Sequence, residues 1–288
     1  MSTMMKVSEF VSRLGDSCKA IAKIVLLSRR ATAPRRCEKK SDKIVILANG
    51  PSLKTTIEQY GAKLMELPTV AVNFMANTPQ FAELRPDYYV LADPHFFRGT
   101  ENENVASLWK ALATVGWRMT LCVPASELAR SRDLLARFGN GKSPELQLAT
   151  FNFVGIEGFD WLENMAYSSG RAMPRPRNVL IPAIMTAMAA GYKEIYLTGA
   201  DHSWLETIRV TDANNVVSVQ PHFYADSKTE LKRSETEYRG YRLHDILKSF
   251  YTAFRSYHRL ARYAATRGVS IYNATPSSYI DAFPRRGL

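Results

Sequence analysis

The chain has 288 residues, 46% hydrophobic and 23% charged, which suits one sizeable α/β domain or two small ones. Three scattered cysteines (Cys18, Cys37, Cys122) exclude a disulfide framework or a cysteine zinc site, and no apolar run reaches the roughly 18 residues of a membrane-spanning helix. The net charge of +11 is concentrated in residues 1–43, where eleven Lys/Arg face four Asp/Glu; no recognisable nucleic-acid-binding motif accompanies that excess, so nucleic acid is not an expected partner.

Within that basic segment Val7, Phe10, Val11, Leu14, Cys18, Ile21 and Val25 recur at close to helical spacing. Lys6, Arg13, Lys19 and Lys23 lie among them, and "RRATAPRRCEKK" follows. Residues 1–42 therefore read as a basic amphipathic extension. It suits the surface of an anionic membrane, where each charge contributes about 1 kcal/mol, and equally a helix packed on the domain ahead of a solvated basic linker. The run "AIAKIVLL" is interrupted by Lys23 and followed by basic residues instead of a small-residue cleavage site. A secretory signal is thus not expected, and the expected location is cytoplasmic, peripheral at the inner membrane face.

From Lys43 the pattern changes, and residues 43–288 read as one domain. "KIVIL" is a buried strand and "SLKTTIEQYGAKLME" a helix; "TVAVNF" and "DYYVLAD" are strands; "SLWKALATVGW" is a helix, "RMTLCVP" a strand and "ASELARSRDLLARFG" a helix. Residues 140–177 carry scattered Gly and Pro and give no clear pattern. "LIPAIMTAMAAG" then makes an apolar helix and "KEIYLTGAD" a strand. Residues 202–243 are polar, rich in Tyr and charge, and read as a lid. "HDILKSFYTAFRSYHRLARYAATRG" is an amphipathic helix with Ile246, Phe250, Phe254, Tyr257, Ala261 and Ala264 on one face, and "VSIYNAT" closes the sheet. Strands alternating with helices predict a doubly wound, mainly parallel, Rossmann-like α/β sheet, whose ligands bind beyond the carboxyl ends of the strands. Asn49, Asn73, Asp93, Asp201 and Asn273 each follow a hydrophobic strand, so all five are expected to face one crevice.

The turn after the first strand, Asn49-Gly50-Pro51-Ser52, fits an anion or nucleotide site. Gly50 allows close backbone approach, Pro51 fixes the turn, and Ser52 is a natural helix N-cap beside free N–H groups. It lacks both the Walker lysine-serine and the three-glycine dinucleotide patterns, which disfavours ATP and NAD.

"KIVILANGPSLK" resembles the first strand and nucleotide loop of the bacterial family 42 sialyltransferases. "VAVNF", ending at Asn73, "GYKEIYLTGAD", ending at Asp201, Arg177 ahead of the preceding helix, and the closing "NATPSS" are similar to family segments in the same order. The similarity covers roughly residues 43–97, 177–203 and 244–281. It implies a GT-A-like variant fold and an inverting, metal-independent transfer from a CMP-sugar to a glycan or lipid-linked acceptor, as in surface polysaccharide or lipopolysaccharide synthesis. The resemblance implies a histidine general base, a role suited to a group that titrates near neutrality. His244 matches its place at the close of the lid; His222 in "PHFYADS" is the rival and His202 the third candidate. Donor contacts are expected from Asn49, Gly50, Pro51, Ser52, Asn73, Asp93, Arg177, Asn178, Asp201, Ser203 and Tyr224. Two departures stand out. Ser203 replaces the family's phosphate-binding tyrosine, for which Tyr224, Tyr238, Tyr241 or Arg209 are substitutes, and "NVLIP" replaces the segment that meets the sialic acid carboxylate. Another CMP-linked acidic sugar is therefore an open donor. The alternatives are a pterin-type pyrophosphokinase or nucleoside-diphosphate-sugar transferase, with Mg²⁺ or Mn²⁺ on Asp93, and a non-catalytic nucleotide- or glycan-binding module. An oligomer is compatible with all of them.

Overall fold

The computed structural model describes residues 3–139, 145–218, 223 and 240–288. In chain order, α1 (Thr3–Leu27) precedes β1 (Lys43–Leu47), α2 (Ser52–Glu66), β2 (Thr69–Val72), α3 (Pro79–Leu84), β3 (Tyr88–Val90), α4 (His95–Arg98) and α5 (Glu103–Ala113). There follow β4 (Met119–Pro124), α6 (Leu128–Phe138), β5 (Leu146–Phe151), and α7 (Asp160–Ser168) between the short strands β6 (Gly155–Ile156) and β7 (Met173–Pro174). Then come α8 (Leu180–Ala189), β8 (Glu194–Thr198), a small hairpin of β9 (Arg209–Val210) and β10 (Val216–Val217), α9 (Leu243–Thr266) and β11 (Ser270–Asn273).

Seven strands form one sheet in the order β11-β8-β1-β2-β3-β4-β5, every neighbouring pair parallel. This is the expected doubly wound α/β fold. Parallel strands need both faces covered, and the sequence supplies apolar residues at both phases of the two-residue repeat. Ile44 and Ile46 of β1 point into one core with Val70, Tyr88, Ile184 of α8 and Leu260 of α9. Val45 and Leu47 point into the other with Ala71, Tyr89 and Leu108, Trp109 and Leu112 of α5. The chain builds outward from β1 through β2 to β5, then returns to lay β8 and β11 on its other side. The topological switch point therefore lies between the carboxyl ends of β1 and β8.

Several boundaries differ from expectation. The second strand stops at Val72, because Asn73 takes a left-handed φ of 50° and starts a short helical turn. The helix expected to begin at Ser107 starts at Glu103, where the Asn102 side chain accepts the Asn104 N–H, and ends before Trp117. Trp117 instead donates to the Pro86 carbonyl. The unpatterned 140–177 stretch contains the edge strand β5, whose alternation is blunted because its outer residues are only partly buried.

The amino-terminal helix docks on this domain. Ser17 and Ala20 of α1 are buried, the Ser17 hydroxyl accepts the Phe159 N–H, and Arg13 pairs with Asp160 at 2.7 Å. The segment behind it is no solvated linker. Asn152 is buried, accepts the Arg29 N–H at 2.8 Å, and donates to the carbonyls of Arg29 and Gly170, both at 2.9 Å. Thr32 exchanges hydrogen bonds with Thr150 of β5 and so covers the exposed edge of the sheet. The adjoining flank of α1 keeps Val7, Val11, Leu14, Ile21 and Val25 exposed, and the exposed Phe10 ring lies 5.5 Å from that of Phe159. Among the described residues no helix is long and apolar enough to cross a membrane.

Candidate functional site

At the switch point the turns after β1 and β8 lock together. The Gly50 N–H donates to the Gly199 carbonyl at 2.8 Å, and Gly199 itself has a left-handed φ of 64° with the Ala48 carbonyl where a Cβ would stand. Asp201 turns back onto α2: the Ser52 hydroxyl donates to one carboxylate oxygen at 2.9 Å and the Ser52 N–H to the other at 3.3 Å. Ser52, expected as the N-cap, is thus the first residue of the helix, with Pro51 in the capping position and an acidic side chain from β8 completing the cap. A carboxylate there complements the helix dipole. Burial nonetheless raises the Asp201 pKa above the ordinary aspartate value, with the two Ser52 hydrogen bonds opposing the shift. Tyr279 donates its N–H to the Asp201 carbonyl, and Ser278 and Thr275 bond the Ala200 carbonyl and N–H, so the "NATPSS" loop forms the third wall.

Asn49 is buried beside this junction. Its Nδ2 donates to the Val72 carbonyl at 3.1 Å, which fixes the amide orientation and ties the ends of β1 and β2. Its Oδ1 is then left buried with no hydrogen-bond partner among the described residues. A buried acceptor without a donor costs about 1–3 kcal/mol, so this oxygen is a spare acceptor at the switch point. The Asn49 main-chain carbonyl accepts the Phe223 N–H at 3.1 Å, which brings that residue to the same place.

His202, directly after Asp201, is buried in a left-handed turn (φ 55°) under Trp204, whose ring lies 4.1 Å away. The Tyr257 hydroxyl of α9 stands 2.7 Å from His202 Nε2 and donates to Asn178 Oδ1 at 3.0 Å; that oxygen also accepts the Leu180 N–H at the start of α8. Burial lowers the His202 pKa to about 3, so the ring is neutral at physiological pH. The cluster pins β8, α8 and α9 to one another. Tyr257 is a member that sequence reasoning assigned only to packing; its helical register gave burial but no sign of a polar partner.

No protein-family model matches this chain, and no curated protein matches it. A solved structure does: the MAf glycosyltransferase from Magnetospirillum magneticum AMB-1, with 13% identity and a TM-score of 0.50. The likeness covers 94% of this chain and 38% of that protein, so the chain spans well under half the length of its structural neighbour. At this identity what is shared is the fold, a glycosyltransferase-like Rossmann sheet.

The other expected site residues are spread around this centre. Asn73 is half-buried and its carbonyl accepts the Tyr89 hydroxyl. Asp93 is exposed and accepts the His95 N–H at 2.8 Å, a local turn at the start of α4. Among the described residues no three His, Cys, Asp or Glu side chains gather as a metal site. Asn273 does not face the crevice: it is buried, its Nδ2 donates to Ser278 and the Ile280 carbonyl, and its Oδ1 accepts the Thr275 N–H. The amide is consumed in shaping the closing loop. Arg175 turns to the buried Glu157 at 3.8 Å, whereas Arg177 is exposed and makes no ion pair among the described residues. Ser203 opens a helical turn after His202, and Arg209 is exposed on the hairpin. His244 stands exposed in the first turn of α9, 3.4 Å from Asp245. His222, Tyr224 and Tyr238 lie outside the described residues.

Proposed function

We propose that this chain is an inverting glycosyltransferase that moves sialic acid or another acidic sugar from a CMP donor to a cell-surface glycan or lipid-linked acceptor. The observation that carries the reading is the buried, unpartnered Oδ1 of Asn49 at the switch point of a parallel sheet. Cytosine presents an exocyclic amine, a donor suited to an amide oxygen whose orientation is already fixed by Val72. Gly50 lets the turns after β1 and β8 meet closely, and Pro51 and Ser52 complete the wall beside Asn49.

Exposed Arg177 offers a guanidinium for the phosphate or the sugar carboxylate, with hydroxyls from the lid as partners. In this reading His244, exposed in the first turn of α9 with Asp245 beside it, is the general base. His202 serves the scaffold, since its burial and its bond to Tyr257 keep it from exchanging protons near neutrality. A negatively charged CMP leaving group stabilised by hydrogen-bond donors does not require a metal. The exposed apolar flank of α1 suits peripheral contact with the inner face of a cytoplasmic membrane, where a lipid-linked acceptor would be met. The test is CMP release from CMP-sialic acid and CMP-Kdo with added lipid-linked or oligosaccharide acceptors, with and without EDTA. Acceptor-dependent release that survives EDTA and is lost in Asn49→Ala supports the reading; release only from a uridine or guanosine diphosphate sugar overturns it.

A further inference from the structure

A cavity of about 780 Å³ lies on the α8 face of the sheet, roofed by the segment that follows α1. It is separate from the switch point, since neither Asn49, Asn178, Asp201 nor His202 lines it. Five of its lining residues are cationic: Arg29, Arg30, Arg171, Lys193 and Arg267. All five are exposed, and none of the cavity's lining residues is Asp or Glu. The four guanidinium groups make no ion pair or side-chain hydrogen bond among the described residues. Some arginines elsewhere are paired, as Arg13 with Asp160 and Arg259 with Glu163, but none of these four is. Unpaired cations gathered on one rim favour an anion.

The interior is mixed, with Thr150, Asn152, Ser168, Ser169 and Thr186 beside one apolar wall. Cys122, Phe151, Met173, Met185, Met188 and Val269 line it, buried or half-buried. Methionines on an apolar wall adapt to flexible chains. Immediately before the roof, Val25, Leu26 and Leu27 end α1 with relative exposures of 73%, 78% and 58%. An apolar step of three residues thus adjoins a cationic rim, which opens onto a hollow with one apolar wall. We propose that this cavity binds the phosphate headgroup and proximal chain of a membrane lipid bearing a phosphomonoester, with Val25–Leu27 seated in the bilayer. The phosphate takes the arginine forks, and the chain lies against Met185 and Met188. This site is independent of the sugar-transfer reading and stands or falls without it.

The test is isothermal titration of the full chain with dihexanoyl phosphatidic acid below its micelle concentration, alongside inorganic phosphate and dihexanoyl phosphatidylcholine. The expected result is saturable binding of the phosphatidic acid, at least about tenfold tighter than either control. Arg29→Gln/Arg171→Gln/Arg267→Gln should weaken it by about tenfold or more, and so should Ala189→Trp, which fills the mouth from an exposed position that the core does not need. Thermal melts of both variants confirm folding. Equal binding of inorganic phosphate would show a soluble anion site and overturn the lipid assignment. Absence of binding, or binding that ignores Ala189→Trp, would also overturn it.

Discussion

Replacing Gly50 with alanine probes the switch point directly. Its φ lies outside the left-handed region, so an alanine is tolerated by the backbone and the effect is one of crowding alone. The added Cβ would stand 2.0 Å from Asp201 Oδ2 and 2.5 Å from the Gly199 carbonyl oxygen, against an ordinary contact near 3.4 Å. Both groups have to retreat by about 1 Å, which stretches the Gly50–Gly199 hydrogen bond and breaks the Asp201 contacts to Ser52. Overpacking of this kind costs about 1–3 kcal/mol, and hydrogen bonds to a charged group add about 1.5–3 kcal/mol, discounted here because water reaches the half-buried carboxylate. The lower entropy of an unfolded alanine returns about 0.4–1 kcal/mol. The net expectation is a loss of about 2–3 kcal/mol, or roughly 5–10 °C in Tm, read by calorimetry. Gly61→Ala, inside α2 with no atom within 4 Å of the new Cβ, should have the opposite sign and stabilise by about 0.5–1 kcal/mol. Combining Gly50→Ala with Asp201→Ala removes the nearest obstacle, so the pair should cost about 1 kcal/mol less than the sum of the single changes. A Gly50→Ala protein that melts with the wild type, or a strictly additive pair, would refute the close junction between the β1 and β8 turns.

Other consequences are as direct. His202 is held neutral in the fold with a pKa of about 3 against an ordinary 6.5, so stability present above pH 6.5 should drain away as pH falls toward 3; His202→Gln should flatten that slope in urea titrations. Asn152→Ala removes three buried hydrogen bonds from the strap behind α1 and should cost about 2–4 kcal/mol. Trypsin should then cut the variant faster at Arg29 and Arg30; unchanged cleavage would mean the strap is held by other contacts. His244→Ala should lower kcat by about a hundred- to ten-thousand-fold while leaving the Kd for CMP intact, and EDTA should leave wild-type turnover unchanged. Loss of CMP affinity in that variant would place His244 in the binding wall instead of at the reacting hydroxyl.

The layered architecture was legible because β1, β2 and β8 are continuous apolar runs ended by polar turns, a pattern that only a strand buried on both faces requires. That polar residues stand at the ends of β1 and β8 was legible, but the lock between Gly50, Ser52 and Asp201 was not. What sequence could not supply was the direction in which each polar side chain turns. Asn273 and Asp201 follow strands in the same way, yet one amide is spent on its own loop and the other side chain caps α2. The strap was hidden for a related reason: "RRATAPRR" has no periodicity, because it is fixed by Asn152 and Thr150 from a distant part of the chain. Tyr257 and His202 gave opposite difficulties, since each residue type is as common in packing as in chemistry and only their 2.7 Å contact distinguishes the cluster.

The central claim is that the switch-point crevice takes a cytidine monophosphate group on Asn49 without a metal. A thermal-shift series with CMP, CDP, UDP, GDP and ATP, each with and without Mg²⁺, tests it in one plate. CMP at a hundred times its Kd should stabilise the wild type by about 2.7 kcal/mol in the absence of Mg²⁺, and Asn49→Ala should abolish the shift. Stabilisation only by a nucleoside di- or triphosphate with Mg²⁺, undiminished in Asn49→Ala, would contradict the account.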